Sequence, residues 1–413
     1  MRRRPASEVG CRGACLTSLA LLALAGVGCV GGAPTERYGF VATLGVDTVS
    51  MERVARSART LVVDGVDRFP FVRLRHTEFD LAPDGKLTRM VMDVRTPGGT
   101  TPATRWRRVT ARFTPGDVRI DVRDSAGVRD SAFVTGGVLT VPHVSMMYSV
   151  IDHEVRTALQ FGTAAEIQPG DSALFRQFYP DRDVGPSFTL HRGYVHRKAG
   201  DRVDLRHDWL AGTGEITVDS AGRLQTYSGR RTTYLVAVQR TNDSLDVESL
   251  GARLIAAEQR VGPGQLSVRD TARGRIGDAE LVVDYGRPLQ RGRRLLGEVI
   301  PLDRVWRTGA NAATQLTISA PITIGGLALA AGTYTLWTLP HADGVELIVN
   351  AQHGQWGTEY GRARDVGRVR MQSDSTADRV EKFEVSLAST APNAGTLTMR
   401  WGAFRWTVPV VAR

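Results

Sequence analysis

Apolar and charged residues alternate with a period of two over much of the segment from residue 70 to residue 240. Residues 118–123 read Val-Arg-Ile-Asp-Val-Arg, and residues 215–219 continue in the same style. Such a period places successive side chains on opposite faces of a strand. Asp84-Gly85 separates two of these segments and is typical of a hairpin turn. The pattern predicts a curved antiparallel sheet or a half-open barrel over residues 41–257.

One segment departs from this alternation. Met147, Ile151, Val155 and Leu159 recur at helical spacing within residues 144–161. We therefore predict one amphipathic helix that covers one side of the curved sheet. The pattern is similar to that of envelope lipoprotein carriers, whose barrels hold acyl chains. If this half holds a lipid-like molecule, we expect a cavity lined by Met146, Met147 and Ile151.

The last third of the chain also predicts strands. Gly262-Pro263-Gly264 indicates a joint, and we place a linker at residues 258–266. Beyond it, short alternating segments are separated by Gly, Asn and Asp turns, and Phe383, Val385 and Leu387 share one face. The pattern favours an antiparallel β-sandwich of jelly-roll type over residues 267–413.

Several blocks of this third carry a family resemblance. They include Val-Asp-Tyr-Gly-Arg-Pro at 283–288, Val-Trp-Arg-Thr-Gly-Ala-Asn at 305–311 and Gln-Trp-Gly at 355–357. In order and spacing these blocks resemble the domain of unknown function (DUF) 2911, which occurs in bacterial envelope proteins. Ala312 stands where that family commonly has Glu, and Ala330 where it has Pro. If the family has a catalytic carboxylate at the position of Ala312, this chain lacks it.

The side chains of these blocks suit a ligand that is anionic or sugar-like. Arginine presents a planar fork for carboxylate or phosphate, tryptophan a stacking face, and asparagine or threonine neutral hydrogen-bonding groups. We predict a binding site from Arg287, Arg293, Trp306, Arg307, Asn311 and Thr314. In the alternative, Arg287 and Arg307 pair internally with Asp284, Glu298 or Asp303, and the arginines serve the fold.

The first 28 residues are expected to be a secretory signal peptide. A basic start is followed by an apolar run that is shorter than the roughly 20 residues needed to span a bilayer. Val27, Gly28 and Cys29 resemble the bacterial lipobox, although Gly26 replaces its usual Leu. We expect lipidation at Cys29 and a tether over residues 29–40. The alternative, cleavage near Ala33, would release a soluble periplasmic protein.

This leader changes what composition and charge imply. Cleavage before Cys29 would remove four arginines and one glutamate, which lowers the formal charge from +10 to +7. It would also leave Cys29, with its thiol lipidated, as the one remaining cysteine, because the other two cysteines lie in the leader. Acidic residues are interspersed with the arginines, and no basic helix or stripe is evident. We therefore expect no nucleic-acid partner.

Common catalytic motifs are absent from the sequence. It contains no G-x-S-x-G, no Gly-rich phosphate loop and no H-E-x-x-H. His207-Asp208 could begin a metal or acid–base site, but no second ligand is placed by spacing, so we predict neither a metal nor a cofactor. The sequence favours a non-catalytic ligand-binding lipoprotein, anchored in the outer membrane and facing the periplasm or the cell surface. The alternatives are an envelope hydrolase and an adaptor that docks an envelope partner.

Overall fold

The computed structural model describes residues 35–68, 70–180, 190–208, 210–242, 244–264 and 266–413. The predicted leader and residues 29–34 of the predicted tether, which include Cys29, lie outside these ranges. Within them, no helix has the length and apolar character needed to cross a membrane.

The first sheet contains fifteen strands. They are β1 (Glu36–Leu44), β2 (Asp47–Arg56), β3 (Thr60–Arg68), β4 (Val72–Leu81), β5 (Leu87–Arg95), β6 (Trp106–Phe113), β7 (Asp117–Asp124), β8 (Gly127–Val134), β9 (Thr140–Pro142), β10 (Ser172–Phe178), β11 (His191–Arg197), β12 (Arg202–His207), β13 (Leu210–Val218), β14 (Leu224–Thr232) and β15 (Ala237–Thr241). Three helices accompany them: α1 (Pro102–Arg105), α2 (Tyr148–Leu159) and α3 (Val247–Val261).

The strand order runs β8-β7-β6-β5-β4-β3-β2-β1-β15-β14-β13-β12-β11-β10-β9. Within the described residues, all pairs are antiparallel except β9 with β10, and the sheet does not close. It is curved so that its two ends share one core: the rings of Phe113 on β6 and Phe178 on β10 lie 5.9 Å apart. The predicted curved antiparallel sheet is therefore confirmed.

Helix α2 lies inside this curve, as its apolar spacing predicts. Its polar residues Asp152, His153 and Glu154 are buried as well. Met147 precedes the helix and supplies no side-chain cap. Instead the buried carboxylate of Glu52 on β2 accepts hydrogen bonds from the backbone N–H groups of Tyr148 and Ser149. A distant strand thus satisfies the first donors of the helix, which would otherwise lack partners.

Helix α3 was not predicted from the sequence. Asp246 caps its first turn by accepting a hydrogen bond from the Ser249 N–H at 2.8 Å. Leu250 and Leu254 pack against Val66 and Val72 in a small core outside the main sheet interior. The helix ends at Val261, so the first four residues of the predicted linker are helical.

The second sheet contains nine strands and begins after α3. They are β16 (Ser267–Ile276), β17 (Ala279–Pro288), β18 (Thr314–Ile318), β19 (Ile322–Ile324), β20 (Leu327–Leu329), β21 (Gly332–His341), β22 (Gly344–Asn350), β23 (Asp365–Ala391) and β24 (Ala394–Ala412). The order is β16-β17-β18-β21-β22-β23-β24-β19-β20, and all pairs are antiparallel.

The long hairpin β23–β24 brings the two halves of this sheet face to face. Tyr285 on β17 meets Phe383 on β23 edge to face, with ring centroids 5.8 Å apart. The core between these layers also contains Trp401 and Trp406. This packing is consistent with the predicted β-sandwich.

The two sheets lie in one compact unit, Thr35–Arg413. Arg291, in the loop after β17, pairs with Asp47 at the start of β2. The Arg291 carbonyl also accepts a hydrogen bond from the Val46 N–H at 3.1 Å. The β1–β2 turn therefore docks directly on the second sheet.

Candidate functional site

The segment 306–311, singled out in the sequence, is a loop held tightly to the second sheet. Trp306 exchanges two backbone hydrogen bonds with Thr338 on β21, at 2.7 and 2.9 Å. The hydroxyl of Thr314 donates to the Thr308 carbonyl at 2.6 Å. Thr308 has a φ of 54°, which is unfavourable for a β-branched residue. Strain of this kind costs about 1–3 kcal/mol and is concentrated at functional sites.

A cavity of about 100 Å³ lies between this loop and the first sheet. One water occupies about 30 Å³ of liquid, so the space suits a small anion or the charged end of a larger molecule. It is too small for a whole drug-sized ligand. Its lining comes from both sheets and includes Leu44, Tyr234, Leu235, Arg293, Trp306, Arg307, Asn311 and Trp401.

Arg307 is the distinctive residue of this cavity. Its guanidinium has no hydrogen bond or ion pair with any residue in the described ranges, and its Nε is buried without a partner. Burial lowers the pKa of Arg307, and no neighbouring carboxylate offsets that effect. A cation in this position is ready to accept an anionic partner.

The carboxylates considered as internal partners for Arg307 are engaged elsewhere. Each lies within ion-pair distance of a different cationic side chain, so the alternative pairing of Arg307 is not formed. The observed pairs are Asp284 with Arg269 at 2.8 Å, Glu298 with Arg230 at 3.6 Å and Asp303 with His341 at 2.6 Å.

The Gln-Trp-Gly block explains how the Arg307 stem is held. A Cβ at Gly357 would lie 2.1 Å from Arg307 Cδ and 2.4 Å from the Asn311 carbonyl oxygen. Only glycine permits this close approach. Two motifs far apart in sequence therefore meet at Arg307.

The other predicted site residues divide into two groups. Arg293 also lines the cavity, and it donates to the backbone carbonyls of Gln290 and Leu289 at 3.0 and 2.6 Å. Burial, followed by repulsion from Arg291, lowers the pKa of Arg293. Arg287 and Thr314 do not line the cavity.

Arg287 and Thr314 make contacts inside the second sheet instead. Arg287 pairs with Asp270 at 2.8 Å and donates to the Phe383 carbonyl at 3.0 Å. Thr314 is fully buried behind the loop. Of the six predicted residues, the structure thus brings Arg293, Trp306, Arg307 and Asn311 to one cavity.

A second polar cluster lies inside the first sheet. Glu154 on α2 places one carboxylate oxygen 3.9 Å from His143 Nδ1 and the other 3.9 Å from His207 Nε2. Gln177 on β10 donates to Glu154 Oε1 at 2.9 Å. All four side chains are buried. Burial raises the pKa of Glu154 to about 7 and lowers that of His207 to about 3.

Sequence reasoning identified His207 but gave it no partners. Its neighbour Asp208 turns away and accepts from His191 Nδ1 at 3.1 Å. The partners that complete the cluster come from α2, β10 and the segment after β9, so sequence spacing could not connect them. The available signal was Asp152-His153-Glu154, three consecutive polar residues in a helix whose other side is apolar.

The residues expected to line a lipid cavity, Met146, Met147 and Ile151, are buried in the hydrophobic core of the first sheet.

The buried Glu52 gives a pH-dependent prediction. Burial raises the pKa of Glu52 to about 7 from an ordinary value of 4.5. The folded protein therefore retains a proton that the unfolded chain loses, and the resulting stability is present below about pH 4.5 and lost as pH rises through about 7. The free energy of unfolding of Glu52→Gln, relative to that of wild type, should therefore rise by on the order of 2–3 kcal/mol between pH 5 and pH 8. Urea denaturation at both pH values measures this gain.

The control for this comparison is the exposed Glu280, which pairs with Arg275. Glu280→Gln should keep a constant stability difference from wild type across the same range. A constant difference for Glu52→Gln as well would contradict the assignment of the raised pKa.

Comparisons with known proteins identify part of the chain. Residues 267–410 match the family model described as "Protein of unknown function (DUF2911)". The C-terminal third is thus a DUF2911 match. This finding confirms the predicted resemblance, and the Arg307 loop lies within the matched DUF2911 segment. No curated protein is significantly similar to the chain.

Two solved structures are similar in part. One is a DUF1089 family protein from Pseudomonas aeruginosa, with a TM-score of 0.33 and 14% identity, covering 44% of this chain and 91% of that one. The other is botulinum neurotoxin type C, whose cell entry depends on interaction with two ganglioside molecules, with a TM-score of 0.12 and 6% identity over 92% and 87% of the two chains. Both TM-scores are too low to support a conclusion about this protein.

Proposed function

We propose that this protein binds a small anionic group, a carboxylate or a phosphate, in the cavity between its two sheets. The observation that carries the proposal is the Arg307 guanidinium, which lines the cavity without an ionic partner in the described ranges. Arg307 is half-buried and its Nε is buried without a partner. A desolvated cation without a counterion is costly, and a bound anion would reduce that cost.

The neighbouring side chains fit the same ligand. Arg293 contributes a second positive charge at the cavity, and Asn311 adds an amide. Trp306 and Trp401 form an apolar wall that excludes water and strengthens a charged hydrogen bond. The volume limits the bound group to about the size of phosphate or acetate, while the rest of a larger ligand would extend outside.

The proposed location of this binding rests on the sequence alone. We propose that the chain is exported and anchored through Cys29, so that the cavity works in the cell envelope. The ligand would then be an anionic solute or the anionic group of an envelope molecule. The proposed role is ligand binding rather than catalysis.

The test compares wild type with Arg307→Met in buffers of matched ionic strength containing chloride, acetate or inorganic phosphate. At a ligand concentration of 100 times Kd, we expect the wild type to be stabilised by about 2.7 kcal/mol. Arg307→Met keeps an apolar stem but loses the charge, so this stabilisation should disappear. In chloride alone, the variant should be at least as stable as wild type. Thermal denaturation and titration calorimetry provide the measurements.

The matched control is Arg405→Met, which removes a partly exposed arginine that pairs with Asp374 on the surface of the second sheet. It should respond to phosphate or acetate as the wild type does. If Arg307→Met also responds like the wild type, anion binding in this cavity is excluded. A response to acetate but not phosphate would assign a carboxylate ligand, and the reverse a phosphate.

A further inference from the structure

The cluster inside the first sheet has the composition of a metal site. His143, Glu154 and His207 each offer one ligand atom, and these atoms all lie within 4.8 Å of one another. Two imidazoles and one carboxylate form a ligand set that suits zinc and other divalent transition metals. In a tetrahedral zinc site, bonds of about 2.1 Å place the ligand atoms roughly 3.4 Å apart. Each histidine nitrogen lies 3.9 Å from one of the two Glu154 oxygens, and the three ligand atoms lie within 4.8 Å of one another, so binding an ion requires them to approach by up to about 1.4 Å.

The position of Gln177 indicates where an ion would lie. Its Nε2 is 2.9 Å from Glu154 Oε1, 3.5 Å from His143 Nδ1 and 3.4 Å from His207 Nε2. The amide nitrogen thus occupies the centre of the three ligand atoms. Movement of this one side chain would open the centre while leaving the three ligands in place.

Two oxygen atoms of the cluster lack hydrogen bonds. Glu154 Oε2 and Gln177 Oε1 are both buried without a partner among the residues described. Buried polar atoms are nearly always satisfied, so two such atoms in one cluster require an explanation. Each is an oxygen that carries a lone pair, and a cation is the partner that both could share.

Charge leads to the same conclusion. Glu154 is fully buried, and its ion-pair contacts in the described ranges are with two histidines rather than with arginine or lysine. A divalent ion would supply a positive charge and use the imidazoles in their neutral, metal-binding form.

We propose that His143, Glu154 and His207 bind a divalent transition-metal ion. The Gln177 side chain would move away from the point between the three ligand atoms and lie beside the fourth coordination position. Three protein ligands with an open position allow a water or a ligand atom to bind the ion. This site lies in the first sheet and does not depend on the proposed anion cavity.

The test uses the full chain, purified in detergent without chelator after expression with added Zn²⁺. Metal content per chain is measured by mass spectrometry, and Co²⁺ substitution is followed by visible absorption. We expect about one Zn²⁺ per wild-type chain and a tetrahedral Co²⁺ spectrum. Glu154→Gln and His207→Gln should each lower metal affinity 10- to 100-fold or more.

Two further variants keep the test decisive. His191→Gln removes a nearby histidine outside the cluster and should leave metal content unchanged. Gln177→Ala removes the central amide but no ligand, so it should retain or tighten metal binding. If Glu154→Gln fails to fold, His207→Gln supplies the ligand comparison. The proposal is overturned if the wild type holds no ion, or if the ligand variants bind Zn²⁺ as tightly as wild type and His191→Gln do.

Discussion

Replacement of Asp152 with alanine is expected to destabilise the first sheet by about 3–5 kcal/mol, the usual cost of breaking a buried charge pair from one side. Asp152 on α2 is fully buried and accepts from the Tyr38 hydroxyl at 3.1 Å and the Leu224 N–H at 2.8 Å. Its carboxylate also lies 3.1 Å from the Arg156 guanidinium and 3.8 Å from that of Arg240. The substitution therefore removes the charge that two largely buried arginines share. Urea denaturation followed by tryptophan fluorescence measures the change.

A surface pair provides the control for this effect. Asp374 lies 3.4 Å from Arg405, and both side chains remain partly exposed to solvent. Asp374→Ala should cost no more than about 1 kcal/mol, because solvent screens such pairs. Asp152→Asn, which preserves size but not charge, should behave like Asp152→Ala. An effect of Asp152→Ala no larger than that of Asp374→Ala would show that Asp152 does not hold α2 in the sheet.

Replacement of Trp401 with alanine is expected to cost about 3–5 kcal/mol in the DUF2911 segment, because it opens a large cavity in a close-packed core. The Trp401 ring is fully buried and stacks on Trp306 with ring centroids 6.0 Å apart and planes 12° from parallel. Its indole N–H donates to the Glu381 carbonyl at 3.1 Å. Because both tryptophans line the anion cavity, phosphate-dependent stabilisation should disappear with the ring. Thermal denaturation with and without phosphate measures both effects.

Trp356 serves as the matched control. Its side chain is 51% exposed, although its backbone bridges to Ala312. Trp356→Ala should therefore change stability by no more than about 0.5 kcal/mol. If Trp401→Ala changes the free energy of unfolding by no more than about 0.5 kcal/mol as well, the core around the cavity is not packed as the contacts indicate.

The sequence predicted those parts of the fold that repeat locally. Alternation predicted many of the strands of both sheets, although not β1–β3, and the spacing of Met147, Ile151 and Val155 predicted helix α2. Helix α3 was missed because its buried contacts are few: Leu250 and Leu254 pack on a small satellite core rather than the main one. A short apolar face beside a Gly-Pro-Gly segment is easily interpreted as a linker.

The site was predictable only in part. Arginine and tryptophan in the 305–311 block indicated a binding surface, and Arg307 and Trp306 do line a cavity. The sequence could not predict which arginine lacks a counterion: Arg287 pairs with Asp270 across a strand pair, whereas Arg307 contacts no carboxylate in the part of the chain that the structure describes. Such pairing depends on register and packing. The same limit applies to Glu154, whose two histidine neighbours come from distant segments.

Anomalous diffraction from crystals grown with selenate tests the anion-binding proposal most directly, since selenate has the shape and charge of a small tetrahedral oxyanion. We predict a selenium peak in the cavity between the sheets, with selenate oxygens within hydrogen-bond distance of the Arg307 guanidinium and close to Arg293. The peak should be absent from Arg307→Met crystals grown in the same way. A wild-type cavity without selenium, combined with no stabilisation of the wild type by acetate, would contradict the proposed function. An Arg307 guanidinium paired with a carboxylate of the protein itself would contradict it as well.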